Sequence, residues 1–286
     1  MGVNEQGIKQ KYLFYDDLVY DAGIGHAMCC YVYGLEFAYK KNIEYMPDIL
    51  RLGHGFNKAK LGTIESFLGL PDHRQNRLVI KKEAPHLILN FPKTTQRSET
   101  VAFINFSQAS KKFLKDSYQN KRRLLLDNSF DPDVINIAIS IRRGDVVCPT
   151  NVRGVHRHRL KNEQFYINVA KEVVNQNKLK NYHIHIYSDG SRNWPDQYVD
   201  INDNPLNIKD LFLNYFDKVS LHLGKNDPKV AMSHFQHCTD ADYFIGSTSG
   251  FSDLISILRA ENTSYRPLFN RKGLPSELKG KSYERI

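Results

Sequence analysis

Val134-Ile135-Asn136-Ile137-Ala138-Ile139-Ser140-Ile141, followed at once by Arg142-Arg143-Gly144-Asp145, is the stretch that decides the fold. A short, nearly continuous run of β-branched residues reads as a strand buried on both faces, which is the habit of parallel sheets. The pattern around it is regular. Residues 162–176 repeat apolar positions at Phe165, Val169 and Val173, a helix. Residues 182–187 (YHIHIY) alternate as a strand and end in Ser188-Asp189-Gly190; residues 218–223 form another. A helix is expected over 227–240, opened by Asp227-Pro228, then a strand over 242–246 (DYFIG), a turn over 247–252 and a helix over 253–260. Strand alternating with helix predicts an α/β fold: a parallel sheet with helices on both faces.

The N-terminal part opens in the same way. Residues 11–16 (KYLFYD) predict a strand, and residues 21–26 (DAGIGH) a glycine-bearing turn. A helix is expected from Ala27, with its apolar stripe on Met28, Tyr31, Val32, Leu35, Ala38 and Tyr39 and a stop at Asn42. Between 43 and 128 the signals are weaker. They predict a short helix at 63–70, short strands at 77–80 and 87–91, and a long basic helix at 107–127. The turn-rich run at 128–133 (NSFDPD) is the expected boundary, giving α/β units at 1–130 and 131–286.

Composition sets outer limits. The 286 residues are 41% hydrophobic and 25% charged, enough for a sizeable core. No stretch of about 20 apolar residues encodes a membrane span, and the polar start (MGVNEQGIKQKY) lacks the apolar segment of a signal peptide. A cytoplasmic location is the expectation. Cys29, Cys30, Cys148 and Cys238 form no CxxC pair and read as reduced thiols. The net charge of +9 favours anionic partners.

Ligands of open parallel sheets bind beyond the carboxyl ends of the strands. Three polar turns fall there: Arg142-Arg143-Gly144-Asp145, Ser188-Asp189-Gly190, and Ser247-Thr248-Ser249-Gly250-Phe251-Ser252. A guanidinium fork matches phosphate oxygens and stays charged, and Asp145 is placed to orient an arginine or bind a ribose hydroxyl. The serine-rich turn opens a helix, whose first N–H groups and dipole suit a phosphate. The plainer alternatives are an Arg–Asp pair closing a strand and an N-cap without ligand. His156-Arg157-His158-Arg159 reads as a loop for phosphate or acceptor rather than metal. His183 and His185 read as structural, Asp131/Asp133 and Asp240/Asp242 as poor cation sites, and Trp194 as a stacking or packing residue. No metal or other cofactor is expected.

IAISIRRGD, YSDG and DADYFIGSTSGFS, in this order and spacing, resemble the three donor-site motifs of the α1,2/α1,6/protein-O-fucosyltransferase superfamily. GIGHAM is similar to that group's N-terminal glycine motif. The resemblance implies a GT-B-like fold, two Rossmann-like domains facing a donor/acceptor cleft, with inverting, metal-independent transfer. It implies that Arg142 holds the donor's β-phosphate, Arg143 assists and Asp145 orders the loop. Ser188 and Asp189 then lie by the nucleotide, Ser247, Thr248, Ser249, Gly250, Phe251 and Ser252 supply phosphate contacts, and Gly23 and Gly25 belong to the glycine motif. The family's guanosine-holding histidine is Ser140 here, and His234 stands about where a base-reading acid is expected. GDP-fucose is the leading donor and a glycan hydroxyl the acceptor.

Such a transfer needs stabilisation of the departing diphosphate and a base for the acceptor hydroxyl. Asp21 is the first candidate base and His26 its competitor. Two other classes compete: a basic nucleic-acid-binding α/β protein, which here lacks any RNA-binding, helix-turn-helix or zinc motif, and a non-catalytic carbohydrate- or nucleotide-binding relative. No nucleic-acid partner is expected.

Overall fold

The computed structural model describes residues 11–15, 24–47, 66–90, 106–121, 130–143, 160–190, 199, 204–224, 228–260, 263–267 and 283–285. The chain is α/β and divides into two compact units, Met1–Arg123 and Leu124–Ile286.

The first unit holds a parallel three-stranded sheet in which β1 (Tyr12–Tyr15) lies between β2 (Glu44–Pro47) and β3 (Ile88–Asn90). Helix α1 (Ile24–Lys41) begins three residues before the expected start, so Gly25 and His26 are helical rather than part of a turn. Its stripe of Ala27, Met28, Tyr31, Val32, Leu35 and Ala38 is buried, as the spacing predicts, although Tyr39 is exposed. Asn42 ends it in the left-handed region (φ 52°), and Ile43 N–H closes back on Ala38 O. Residues 77–80, read as a strand, are instead the middle of α2 (Arg74–Glu83). The apolar look of Leu-Val-Ile misleads because Leu78 and Val79 face solvent. What the helix buries is Arg77, whose guanidinium reaches Met46 O and lies 4.3 Å from the Phe14 ring centroid. The basic helix α3 (Gln108–Lys121) is capped by Ser107, whose hydroxyl accepts from Ser110 N–H.

In the second unit, β4 (Ile135–Ile141) is central. The sheet order is β6 (Val219–Leu223), β5 (Tyr182–Ser188), β4, β7 (Tyr243–Ile245), β8 (Ser264–Pro267) and β9 (Tyr283–Arg285), all parallel except the final antiparallel β9. Winding runs from β4 outward through β5 to β6, then returns to the other side of β4 with β7 and β8. The strand order therefore reverses between β4 and β7. This is a Rossmann-like, doubly wound arrangement.

Alternation along the strands makes two unlike faces. Ile137, Ile139 and Ile141 of β4 join Ile184 and Ile186 of β5 in one apolar layer. Over it pack α4 (Glu163–Gln176), through Tyr166, Ile167, Val169, Ala170 and Val173, and α5 (Ile208–Leu213), through Ile208 and Phe212. Asn162 caps α4 by accepting from Phe165 N–H. The opposite face presents Asn136, Ala138, Ser140, His183, His185, Tyr187, Ser220 and His222. Helices α6 (Pro228–Asp240) and α7 (Gly250–Leu258) follow β6 and β7, and rings of α6 pack on that face. Arg259 ties the end of α6 to the entries of β7 and β8: its guanidinium donates to Cys238 O, Asp242 O and Thr263 Oγ1.

Candidate functional site at the strand-order reversal

The β4–β7 register pairs Ile139 with Ile245, which brings the ends of these two strands side by side. The Arg142–Arg143 turn thus lies next to the serine turn. This proximity is not written in the sequence, because the two turns belong to distant segments. A crevice at a strand-order reversal is where open α/β sheets bind ligands, since the loops leaving the two strands diverge to opposite faces.

The two arginines divide their duties. Arg143 is fully buried on the apolar face. Its guanidinium donates to Arg142 O (3.0 Å) and Lys161 O (3.0 Å) and pairs with Glu163 at the start of α4. Its backbone N–H donates to Asp189 Oδ1 (2.8 Å) from the turn after β5. Arg143 is therefore a clamp on the strand end, not an assistant at a phosphate; burial with a carboxylate partner commits it. Arg142, half-buried, follows the alternation onto the other face. Its carbonyl is gripped by Arg143, so the guanidinium springs from a fixed backbone.

Asp189 likewise braces the loop through that bond to Arg143 N–H. Ser188 is buried and accepts from Gly190 N–H (3.2 Å), where Gly190 takes the left-handed conformation (φ 64°) that a glycine tolerates. Ser140 is buried and sits in register with Tyr187.

The serine turn also differs from the expectation. The hydroxyls of Ser247, Ser249 and Ser252 lie 3.1 to 3.2 Å apart in a closed triangle. Ser247 N–H donates to Ser252 Oγ (2.9 Å), and Ser249 Oγ accepts from Ser252 N–H (3.2 Å). Ser247 and Ser252 are buried, so these side chains build the turn rather than face a ligand. Helix α7 starts at Gly250, three residues before the expected position, with Ser249 as its N-cap. The first N–H groups of the helix, those of Gly250 and Phe251, have no intrahelical acceptor and point out of its end. The Phe251 ring packs edge-on against Phe235 of α6 (5.3 Å). Thr248 is buried beside them.

Gly246 is a site residue that sequence reasoning missed. A Cβ there would lie 2.9 Å from Ser252 Cβ and 3.1 Å from the Phe244 ring, so only glycine lets β7 run this close to α7. Its signal was the single glycine between an apolar strand and a serine run. Of the two Asp-x-Asp patterns, Asp131 Oδ1 accepts from Asp133 N–H, and Asp242 Oδ2 accepts from Asn136 N–H (2.7 Å). Both bonds shape the entry to β4. Among the described residues, no group of three or more His, Cys, Asp or Glu is placed to hold a metal ion, and no helix is long and apolar enough to cross a membrane. Among the described residues, Cys29, Cys30 and Cys238 take part in no disulfide. Asp21, Gly23, Asp145, Cys148, the 156–159 loop and Trp194 lie outside the described residues, as does the side chain of His26.

Together these features define a Rossmann-like α/β unit with an arginine and a helix N-terminus at its strand-order reversal. The chain matches no family model and no curated protein sequence.

Proposed function

We propose that the protein is a glycosyltransferase of GT-B-like organisation that takes a nucleotide-sugar donor, GDP-fucose first, and transfers the sugar to a glycan hydroxyl with inversion and without a metal. The observation that carries this reading is that β4, which Arg142 follows, and β7, whose turn leads into the helix starting at Gly250, are neighbouring strands where the strand order reverses. A diphosphate leaving group carries its new charge on phosphate oxygens. A guanidinium fork on one side and helix-end N–H donors on the other are the two kinds of group that stabilise it. The donor set is smaller than the motifs alone imply: Arg143, Ser247 and Ser252 support the turn, and Arg142 and the backbone make the contacts.

Calorimetric titration of GDP and UDP into the wild-type chain and Arg142→Ala tests the reading. Both nucleotides bind the wild type, GDP more tightly, and both weaken strongly in the variant. Tighter UDP binding overturns the fucosyl donor, and binding of neither nucleotide overturns the site. Turnover of GDP-fucose in EDTA tests metal independence; activity lost to the chelator and restored by Mg²⁺ or Mn²⁺ removes that part of the proposal.

A further inference from the structure

Five histidines meet on the sheet face opposite the isoleucines. His183 and His185 come from β5, His222 from β6, and His234 and His237 from α6. The ring centroids of His183 and His185 are 3.9 Å apart, those of His185 and His222 5.5 Å, and those of His222 and His234 6.3 Å. Tyr187 lies among them, stacked on His222 (4.6 Å, 12°) and edge-on to His234 (5.0 Å). Phe130 covers His185 and His237 at 5.0 and 5.3 Å.

The hydrogen bonds fix the protons. Asn136 Nδ2 donates to Val134 O (2.7 Å), a backbone acceptor, so Asn136 Oδ1 is the atom facing His185 Nε2 at 3.1 Å. His185 must then carry its proton on Nε2 and present a lone pair at Nδ1. That lone pair faces His222 Nε2 at 3.3 Å, so His222 is the Nε2–H tautomer as well. While His222 keeps its Nε2 proton, a proton on His185 Nδ1 would set two N–H groups against each other and break the bond. His183 is bonded separately, to Ser220 Oγ (2.9 Å).

We propose that this imidazole cluster is a proton-sensitive latch that holds α6 to the sheet while its rings are neutral and releases it in acid. The charges facing the cluster from each element support this. Lys218 precedes β6 and Lys209 lies on α5, both raising the cost of a cation at His183. Asp240, near His237 on α6, is the carboxylate that favours a proton there. Tyr187 and Cys238 are held neutral by burial. Burial, then the neighbouring imidazoles, push His185 down to about 3 and His222 and His234 down to about 4; burial lowers His183 and His237 too. The unfolded chain takes up these protons near the ordinary histidine value, so acid favours opening. The latch does not depend on which ligand the strand-end site binds.

Nitrogen NMR on the wild-type chain at about pH 6 reads the tautomers directly. Both His185 and His222 should be neutral and protonated at Nε2; a charged His185 or an Nδ1–H form overturns the latch. Urea unfolding between about pH 6 and pH 5 should show the unfolding constant rising about 100-fold or more per pH unit, the mark of two or more protons taken up. A rise of about 10-fold or less refutes it. Hydrogen exchange at about pH 5, corrected for intrinsic rates, should open residues 228–240 before residues 163–176; equal protection of both helices also refutes it. His222→Phe keeps the ring on Tyr187 and should lower the proton uptake by about one. The wild-type measurements stand if that variant does not fold.

Discussion

The two faces of the six-stranded sheet use alternate residues of the same strands but are held by different physics. Beneath α4 and α5, Ile137, Ile139, Ile141, Ile184 and Ile186 make a layer with nothing to titrate. Beneath α6, His185, Tyr187, His222 and Asn136 form bonded and stacked contacts whose protons have assigned places. Each face ends at the carboxyl edge of the sheet in an arginine: Arg143 on the first, clamped to Glu163, and Arg142 on the second. One face sustains the fold at any moderate pH, while the other couples packing to protonation beside the site. Residue identity alone does not decide what an arginine does; the face on which it falls does.

The largest expected effect strikes the first face. Glu163→Ala strips the buried Arg143 of its carboxylate and should cost about 3–5 kcal/mol in urea unfolding. A loss below about 1 kcal/mol would show that the clamp's backbone bonds suffice without the charge pair. Next comes Arg142→Ala, which on the proposed function should lower turnover about 100- to 1000-fold while the chain still folds. Arg142→Lys should rescue little, since a point charge lacks the fork. If Arg142→Ala instead unfolds the chain, the division between the two arginines fails.

The smallest effect sharpens the contrast in pH. Ile139→Val should cost about 0.5–1.5 kcal/mol, and the same amount at about pH 7.5 and about pH 5.5. The wild-type chain itself should lose stability over that interval. His185, His222 and His234 have folded values of about 3 to 4, below the ordinary 6.5. Their contribution is therefore complete above about 6.5 and falls away as pH drops towards about 4. A wild-type chain equally stable at both pH values would erase the distinction between the faces.

Much of the second unit was legible because its strands are buried on both sides and carry dense β-branched runs. VINIAISI, DYFIG and the apolar repeat of α4 could be read locally. Residues 77–80 could not: their apolar run is exposed, and burial of Arg77 against Phe14 and Met46 is a tertiary fact. β2 was missed because four residues ending in Pro47 make too short a signal. The turns of the site were legible as turns, but their adjacency depends on strand order. Arg142 and Arg143 look alike in sequence because Glu163, which separates their roles, arrives on the next helix. The histidine cluster was hidden for the same reason, its members being contributed by three elements.

The strand order also sets a timetable. On the ribosome, β4, β5 and β6 emerge first and can pair as a half-sheet, with Arg142 already at its end. Synthesis at roughly 5–20 residues per second then leaves an interval of seconds before β7 is available. During it, β4 is an edge strand whose free side presents unpaired backbone groups, a template for other chains. A nascent chain stalled before residue 243 would hold half of the proposed anion site and an adhesive margin. Docking β7 against β4 covers that margin, leaving β8 to pair on the outer side of β7, and brings the serine turn beside the end of β4, so the step that covers the central strand is also the step that assembles the proposed anion site.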